Sequence, residues 1–555
     1  MITYNERLLD IYARSFRDNW ELPALSDYVT GVELTYGELA KRIVRTHIFL
    51  NECGVKPGDK IALLGKNTIS WVVVYMATVT YGAVIVPILQ DFNVEDAQHI
   101  IHHSGARMLF VSESIWEHID FSRLLKVKVA LSLDTPDVLA EHPDNSGLAR
   151  RALSRLPELF RTAYPNGYNP QDVKYIQVAP SALAEINYTS GTTGFSKGVM
   201  LSHSNLVGNV EFGIRSHLHY RGSRCLSFLP LAHAYGCAFD MLVPLAVGTH
   251  VTLFGKLPSP KALISAMQSV KPNLILVVPL ILEKIYRSRI LPEISKPAVK
   301  RMLALPGLRN IVRSRIRRSL TEAFGGEFEE VIAGGAPLNP EVEQFLRSIG
   351  FRFTVGYGMT ECGPLISYTP WREFIPGSAG RVLPNMEVRI DSTDPEKVTG
   401  EIMVRGQNVM QGYYKNREAT EAVLMPDGWL RTGDMGTVSR DGTIFIKGRS
   451  KTMILSANGQ NIYPEEIEAK LNNLPFVAES LVVERGKKLV AIVYPDYEAM
   501  DRANLTSAKM PPIMEKVAER LNRMVAPYER IDHIQLIPNE FEKTPKRSIK
   551  RYLYS

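Results

Sequence analysis

Between Asn67 and Gln90 the chain carries no charged residue, and an apolar run of that length imitates a membrane-spanning helix. Gly82 and Pro87 interrupt it, so the pattern divides: Trp71–Tyr81 predicts a buried helix and Ala83–Val86 a strand covered on both faces. The run therefore reads as core. Around it, the apolar Ile61–Leu64, an amphipathic stretch near Val94–His103 and the apolar Met108–Val111 alternate as strand, helix and strand do in βαβ units. Upstream, Thr35 followed three residues later by Glu38 predicts a capped helix start. Residues 141–175 loosen, carrying Pro, Asn and Gly around Arg150, Arg151, Arg155 and Arg161, and predict a surface excursion.

Further strands are expected at Arg224–Pro230, His250–Phe254, Glu330–Ala333, Phe353–Val355 and Thr443–Lys447, with an apolar helix running to Leu245. Beyond Arg449 the pattern changes. Leu481–Val483 and Leu489–Val493, joined by Arg485–Lys488, predict a hairpin, and a helix at Ile513–Val525, apolar at Ile513, Val517, Leu521 and Met524, would cover it. An α/β body with a smaller α+β unit behind it follows, and 555 residues are more than one hydrophobic core usually serves.

Composition sharpens this only in part. Apolar content of 45% and charged content of 22% describe an ordinary globular chain. The net charge of +7 invites a nucleic-acid reading, but no helix-turn-helix, zinc or RNA-binding signature accompanies it, so no nucleic-acid partner is expected. A basic balance also suits an enzyme whose substrates are all anions. Cys53, Cys225, Cys237 and Cys362 are scattered without a CxxC pair, and the first residues lack the apolar core of a signal peptide; both point to a cytoplasmic protein.

The chemistry concentrates at Tyr188-Thr189-Ser190-Gly191-Thr192-Thr193-Gly194-Phe195-Ser196-Lys197-Gly198-Val199. Glycines let the backbone turn tightly and present N–H groups, the hydroxyls of Thr189, Ser190, Thr192 and Thr193 add donors, and Lys197 adds a mobile cation, so the loop is equipped to hold a polyphosphate. It is not a Walker A loop, because Lys197 is followed by Gly198 and not by Ser or Thr. The segment resembles the signature loop of the adenylate-forming superfamily, which contains acyl-CoA synthetases, luciferases and the adenylation domains of peptide synthetases. Phe195-Ser196 stands where that pattern has x-Pro.

The rest of the chain repeats the family's order. Gly334-Gly335-Ala336-Pro337 follows a strand, and the resemblance assigns it to one side of adenine. In Gly356-Tyr357-Gly358-Met359-Thr360-Glu361 the resemblance implies that Tyr357 stacks on the base, Thr360 meets phosphate and Glu361 holds Mg²⁺ against the triphosphate. Asp434 matches the ribose-binding aspartate, Arg449 a residue that reaches the nucleotide, Lys451 the hinge, and Gly459 the loop lining the coenzyme A passage. The Leu229–Gly236 stretch resembles the border of the acyl pocket, with His233 and Tyr235 beside the substrate; an aspartate that would bind an α-amino group is replaced by Tyr235, which argues against an amino acid.

One departure stands out. Relatives end T-P-S-G-K-I-x-R, whereas here Thr544-Pro545-Lys546-Arg547-Ser548-Ile549-Lys550-Arg551 puts Ser548 in the lysine's place. In an extended segment alternate residues share a side, so Lys546, with Lys550 second, is expected to supply the missing catalytic ammonium. The resemblance implies a large multi-subdomain N-terminal α/β domain, residues 1–448, and a small mobile C-terminal α+β lid, residues 449–555. It implies ATP and Mg²⁺ as cofactors, coenzyme A as co-substrate, and ligation of a medium- or long-chain fatty acid through an acyl-adenylate. Two alternatives stay open: an acyl-AMP ligase that loads a carrier protein, and a fatty-acid- or nucleotide-binding protein with impaired chemistry. From Lys284 to Arg318 eleven lysines and arginines crowd together, compatible with a solvated face, with an anionic membrane surface or with coenzyme A phosphates. A homodimer is equally compatible with the sequence.

Overall fold

The computed structural model describes the chain apart from residues 146, 190–195, 257–258, 456–459, 487, 506–508, 545–548 and 555, and apart from the side chains of 288, 289 and 502. Two seven-stranded sheets form the body. The first runs in space Phe353–Val355, Glu330–Ala333, Leu274–Val277, Arg224–Ser227, His250–Leu253, Pro23–Asp27, Glu33–Thr35, with only the last pair antiparallel. The second runs Val138–Glu141, Val129–Ser132, Met108–Val111, Lys60–Leu64, Val84–Ile88, Leu183–Thr189, Lys197–Ser202, parallel inside and antiparallel at both edges.

The uncharged run resolves as core. Its helix, Ile69–Thr80, buries every residue except Ser70, and all five residues of Val84–Ile88 are buried. Twelve helical residues span only about 18 Å, and among the described residues no helix is long and apolar enough to cross a membrane. At the entrance to the helix Tyr36–Glu52, Thr35 accepts from the Glu38 N–H while the Glu38 carboxylate accepts from the Thr35 N–H, the reciprocal cap the sequence predicts.

Three expectations need correction. The supposed surface excursion contains a helix, Leu148–Ala163, which packs Ala149, Ala152 and Phe160 inward and turns its arginines out; the Pro inside it, Pro157, disguised the period. The strand predicted to reach Pro230 ends at Ser227, and the helical stretch after His233 runs from Ala234 to Val247 with a π-helical segment, Cys237–Leu242, inside it. Finally, the C-terminal helix is Met510–Asn522, burying Met510, Met514, Val517 and Leu521, while Met524 lies beyond its end and is exposed. The stripe therefore begins one turn earlier than the sequence pattern indicated.

A four-stranded antiparallel sheet, Met386–Asp391, Gly400–Gly406, Leu430–Val438 and Ile444–Arg449, closes the body. The largest apolar cluster ends at Ile444, and separate clusters begin at Ile462. These later clusters lie around the hairpin Val477–Arg485 and Lys488–Pro495, to which Ile531–Leu536 pairs in parallel. Polar contacts join this unit to the body: Asn339 and Asn473 exchange amide hydrogen bonds of 2.8 and 2.9 Å, Arg287 Nη2 donates to the Asn472 carbonyl at 2.6 Å, and Lys447 sits 3.3 Å from Glu466.

Candidate functional site

Parallel strands present their carboxyl ends together, and backbone approach is easiest there. At that edge a cleft open to solvent is lined by Gly334 and Gly335 after one strand, Gly356–Thr360 after the next, and His233, Tyr235 and Phe239 from the π-containing stretch. Gly334 is required by packing: a Cβ there would lie 3.0 Å from the Tyr235 ring tip, which is held by a 3.0 Å hydrogen bond from its hydroxyl to the Ile332 carbonyl. A Cβ on Gly358 would meet the Pro364 carbonyl oxygen at 2.3 Å. Ala336 and Pro337 are exposed just beyond the cleft lining, and Met359 lies within it, its N–H donating to the Pro364 carbonyl at 2.9 Å.

The wall around His233 and Tyr235 is largely apolar. His233 accepts the Tyr235 N–H on Nδ1 at 3.3 Å, and both face a wall completed by Leu218, Phe239, Leu276 and Tyr368. Asp240, the nearby acid, does not line the cleft; it is buried beside the Cys225 thiol, and burial pushes its carboxyl well above the usual range.

The loop predicted to hold polyphosphate joins an antiparallel pair in which Thr189 faces Lys197. Ser190, Gly191, Thr192 and Thr193 lie outside the described residues. Residues 412–414 run along the outer strand of that pair, with the Met200 N–H on the Gly412 carbonyl at 3.0 Å and the Tyr414 N–H on the Gly198 carbonyl at 2.7 Å. This places the buried Tyr413 between two predicted site residues. The Lys197 ammonium stands 5.0 Å from its ring centre, and its hydroxyl donates to Glu361 Oε1 at 2.8 Å. Burial, then the neighbouring Glu361 charge, raises the Tyr413 phenol far above its ordinary value, so it stays a donor.

Glu361 sits in the single turn Thr360–Cys362, whose position is fixed by the Met410 N–H on the Glu361 carbonyl at 2.8 Å. Among the described residues, no group of three or more His, Cys, Asp or Glu side chains could cage a metal. A single carboxylate with one oxygen oriented by Tyr413 fits Mg²⁺ held mainly by substrate phosphates, because that ion keeps most of its shell from water and phosphate.

Asp434 is buried. Its Oδ2 accepts from the Tyr357 hydroxyl at 2.7 Å and its Oδ1 lies 3.0 Å from Arg449 Nε, the residue directly opposite it across the sheet. Burial raises its carboxyl above the usual range, against the lowering effects of Arg449 and then of the Tyr357 hydrogen bond. A carboxylate has about four acceptor sites, so two sugar hydroxyls can still be received. The structure thus gathers Thr189, Lys197 and Glu361 about Tyr413, and Tyr357 and Arg449 about Asp434.

Not every predicted residue converges. Lys451 is exposed in the turn after Arg449, and Gly459 and Lys546 lie outside the described residues. Lys550 stands 3.5 Å from Glu542, on a tail that packs Phe541 and Ile549 against the C-terminal hairpin, and it does not line the cleft. Tyr413 and the Asn339–Asn473 pair were missed. The first was visible as part of Gly412-Tyr413-Tyr414-Lys415; nothing local marked the second.

Known proteins resemble this chain over most of its length. The model of the AMP-binding enzyme family matches residues 13–414. The long-chain-fatty-acid–CoA ligase FadD15 of Mycobacterium tuberculosis is 28% identical over 580 residues, covering 96% of this chain and 93% of that protein. The long-chain-fatty-acid–CoA ligase of Escherichia coli O157:H7 is 27% identical, covering 92% and 91%. Among solved structures, ATP-bound MatB of Rhodopseudomonas palustris superposes with a TM-score of 0.76 at 23% identity over 98% of each chain. The MenE synthetase of Bacillus subtilis, in complex with ATP and magnesium ion, gives 0.73 at 21% identity over 98% of each. At such identities the superpositions establish the fold. With a family match spanning more than half its length, this chain belongs to the AMP-binding enzyme family.

Proposed function

We propose that the chain ligates a medium- or long-chain fatty acid to coenzyme A. In the first step a carboxylate oxygen attacks the α-phosphorus of ATP, the bond to the β-phosphate breaks and pyrophosphate leaves. In the second the coenzyme A sulfur attacks the acyl carbonyl, its proton passes to solvent and AMP departs. The observation that carries this reading is the meeting of Lys197 and Glu361 on Tyr413, with Thr360, the chain neighbour of Glu361, lining a largely apolar cleft.

In this reading Asp434 and Tyr357 fix the ribose and base, Lys197 and the loop hydroxyls hold the phosphates, and Tyr413 orients Glu361, which would hold Mg²⁺. That ion supplies charge neutralisation on the phosphate oxygens when bound. Acceleration then comes chiefly from positioning and fixed charge. The acyl chain would lie against Tyr235, Phe239 and Leu276.

The same reading divides the chain into residues 1–448 and 449–555, hinged near Lys451. The break in apolar packing between Ile444 and Ile462 and the exposure of Lys451 support it. Lys546 or Lys550 would supply the lid cation, and Lys550, here held by Glu542, would reach the α-phosphate only after the lid turns. Carboxylate-dependent exchange of labelled pyrophosphate into ATP, followed by thioester formation across acids from acetate to oleate, tests the proposal. Activity peaking at long chains with free coenzyme A is expected. Exchange without thioester formation would replace it with carrier-protein loading, and absence of exchange would leave only binding.

A further inference from the structure

The helix His203–Arg215 starts where the strand Lys197–Ser202 ends, and it carries Asn205 and Asn209, four positions apart and so on one face. Both are buried. Asparagine is a poor helix former, and a buried amide costs stability unless its groups are paired. Here they are paired, and their partners beyond the helix and its cap lie on the two main-chain stretches that hold Glu361. Asn209 brackets the turn that follows Glu361: its Nδ2 donates to the Cys362 carbonyl at 3.3 Å, and its Oδ1 accepts the Leu365 N–H at 2.9 Å. Asn205 Nδ2 donates to the carbonyls of Gln407 at 2.8 Å and Val409 at 2.9 Å. The next N–H along, that of Met410, is the one on the Glu361 carbonyl. A Cβ on Gly208 would collide with the Asn408 side chain, whose own Nδ2 donates to the Leu365 carbonyl at 2.8 Å, so the helix is pressed close against this turn.

We propose that Asn205 and Asn209 are positioning residues that set the aim of the Glu361 carboxylate. Apolar side chains of similar volume would fill the same space with no need of pairing. What the amides add is direction, because each hydrogen bond fixes the main-chain group it meets, and a fully paired buried network makes that geometry rigid. Tyr413 orients one carboxylate oxygen at its tip; the asparagines fix the backbone from which the side chain projects. Asn205 Oδ1 also accepts the Ser202 N–H at 2.8 Å, at the end of the strand that begins with Lys197. The helix thereby ties the main chain of Glu361 to the strand that carries the phosphate-loop cation. This inference rests on the reading in which Glu361 holds Mg²⁺.

Calorimetric titration of the full chain with ATP at a series of Mg²⁺ concentrations tests it without turnover, by reading the Mg²⁺ needed for half of the gain in ATP affinity. Asn209→Ala is expected to need about fivefold more Mg²⁺, somewhat less than the loss of about 10- to 100-fold usual when a metal ligand's direct partner is removed. Its ATP affinity without Mg²⁺ should stay within about twofold of native, which a merely structural role would not ensure. Combined with Tyr413→Phe, its effect should fall short of the product of the two single effects, because both act through one carboxylate. Asn209→Ser keeps one short hydrogen-bonding group and should move the same way by less; it replaces Asn209→Ala should that variant fail to fold, as read by thermal unfolding. A native Mg²⁺ requirement in the folded variants would overturn the proposal. So would an equal loss of ATP affinity with and without Mg²⁺, or a double variant that shows the full product. Glu361→Gln separates these failures from that of the metal reading: if it too keeps the native Mg²⁺ requirement, Glu361 does not hold the ion and both fall.

Discussion

Replacing Tyr413 with Phe removes one oxygen and nothing else. The ring remains, so the contact with the Lys197 ammonium at 5.0 Å persists, while the 2.8 Å hydrogen bond to Glu361 disappears. A hydrogen bond to a charged acceptor contributes about 1.5–3 kcal/mol. Glu361 is only partly buried, so water can replace the hydroxyl in part and the lower end applies. At about 1.4 kcal/mol per factor of ten, pyrophosphate exchange in Tyr413→Phe should slow about tenfold, and half-saturation by Mg²⁺ should move to higher concentration. Tyr413→Leu also removes the cation's aromatic partner, worth about 0.5–1 kcal/mol, and should lose a further two- to fivefold. The assay is exchange rate against Mg²⁺ concentration at saturating ATP, with thermal unfolding to confirm that the variants are folded. If Tyr413→Phe keeps the native Mg²⁺ dependence within about twofold, Tyr413 does not orient the metal carboxylate and that part of the site is misread.

Gly334→Ala would drive a methyl group to 3.0 Å from a Tyr235 ring already tied to Ile332; overpacking of about 1–3 kcal/mol is expected, seen as lowered unfolding midpoint and a raised KM for the acid. His219 is buried with its pKa lowered to about 4, chiefly by burial, and His47 and His203 are shifted the same way. These rings fold neutral, so their contribution is complete above about pH 6.5 and is lost as pH falls towards 4, at about 1.4 kcal/mol per pH unit for each. Denaturant unfolding at pH 7 and pH 5 should therefore show a shallower acid loss in His219→Gln than in the native chain; equal slopes would refute the assignment. Asn473→Ala removes its two amide hydrogen bonds with the buried Asn339, which keeps the Ala469 carbonyl at 3.3 Å and the Glu341 N–H at 3.0 Å; at about 0.5–1.5 kcal/mol per bond, docking of the C-terminal unit should weaken by about 1–3 kcal/mol, read as faster proteolysis near Lys451.

Where a residue's role depends on its own neighbours in sequence, the sequence revealed it. The Thr35 cap and the core identity of residues 67–90 both follow from local pattern, and both are present. Glu361 and Asp434 were legible as members of ordered strings, but their partners were not, since Tyr413 and Arg449 reach them through strand pairing that no short window contains. The helix Leu148–Ala163 was hidden by its internal proline, and the C-terminal stripe by an apolar Met524 that falls one residue past the C-cap. Long-range amide contacts such as Asn339–Asn473 leave no periodic trace, because an asparagine has equal claim to any turn.

The π segment Cys237–Leu242 amounts to one surplus amino acid lodged in the wall behind Tyr235 and Phe239. Excising a single position there would restore ordinary winding with the helix on either side keeping its facing, so that only the residues of the π segment itself, Phe239 among them, change their aim. The contour of the apolar recess is thus adjustable by a one-codon deletion, a coarser and quicker route to a new acyl preference than trading side chains one at a time.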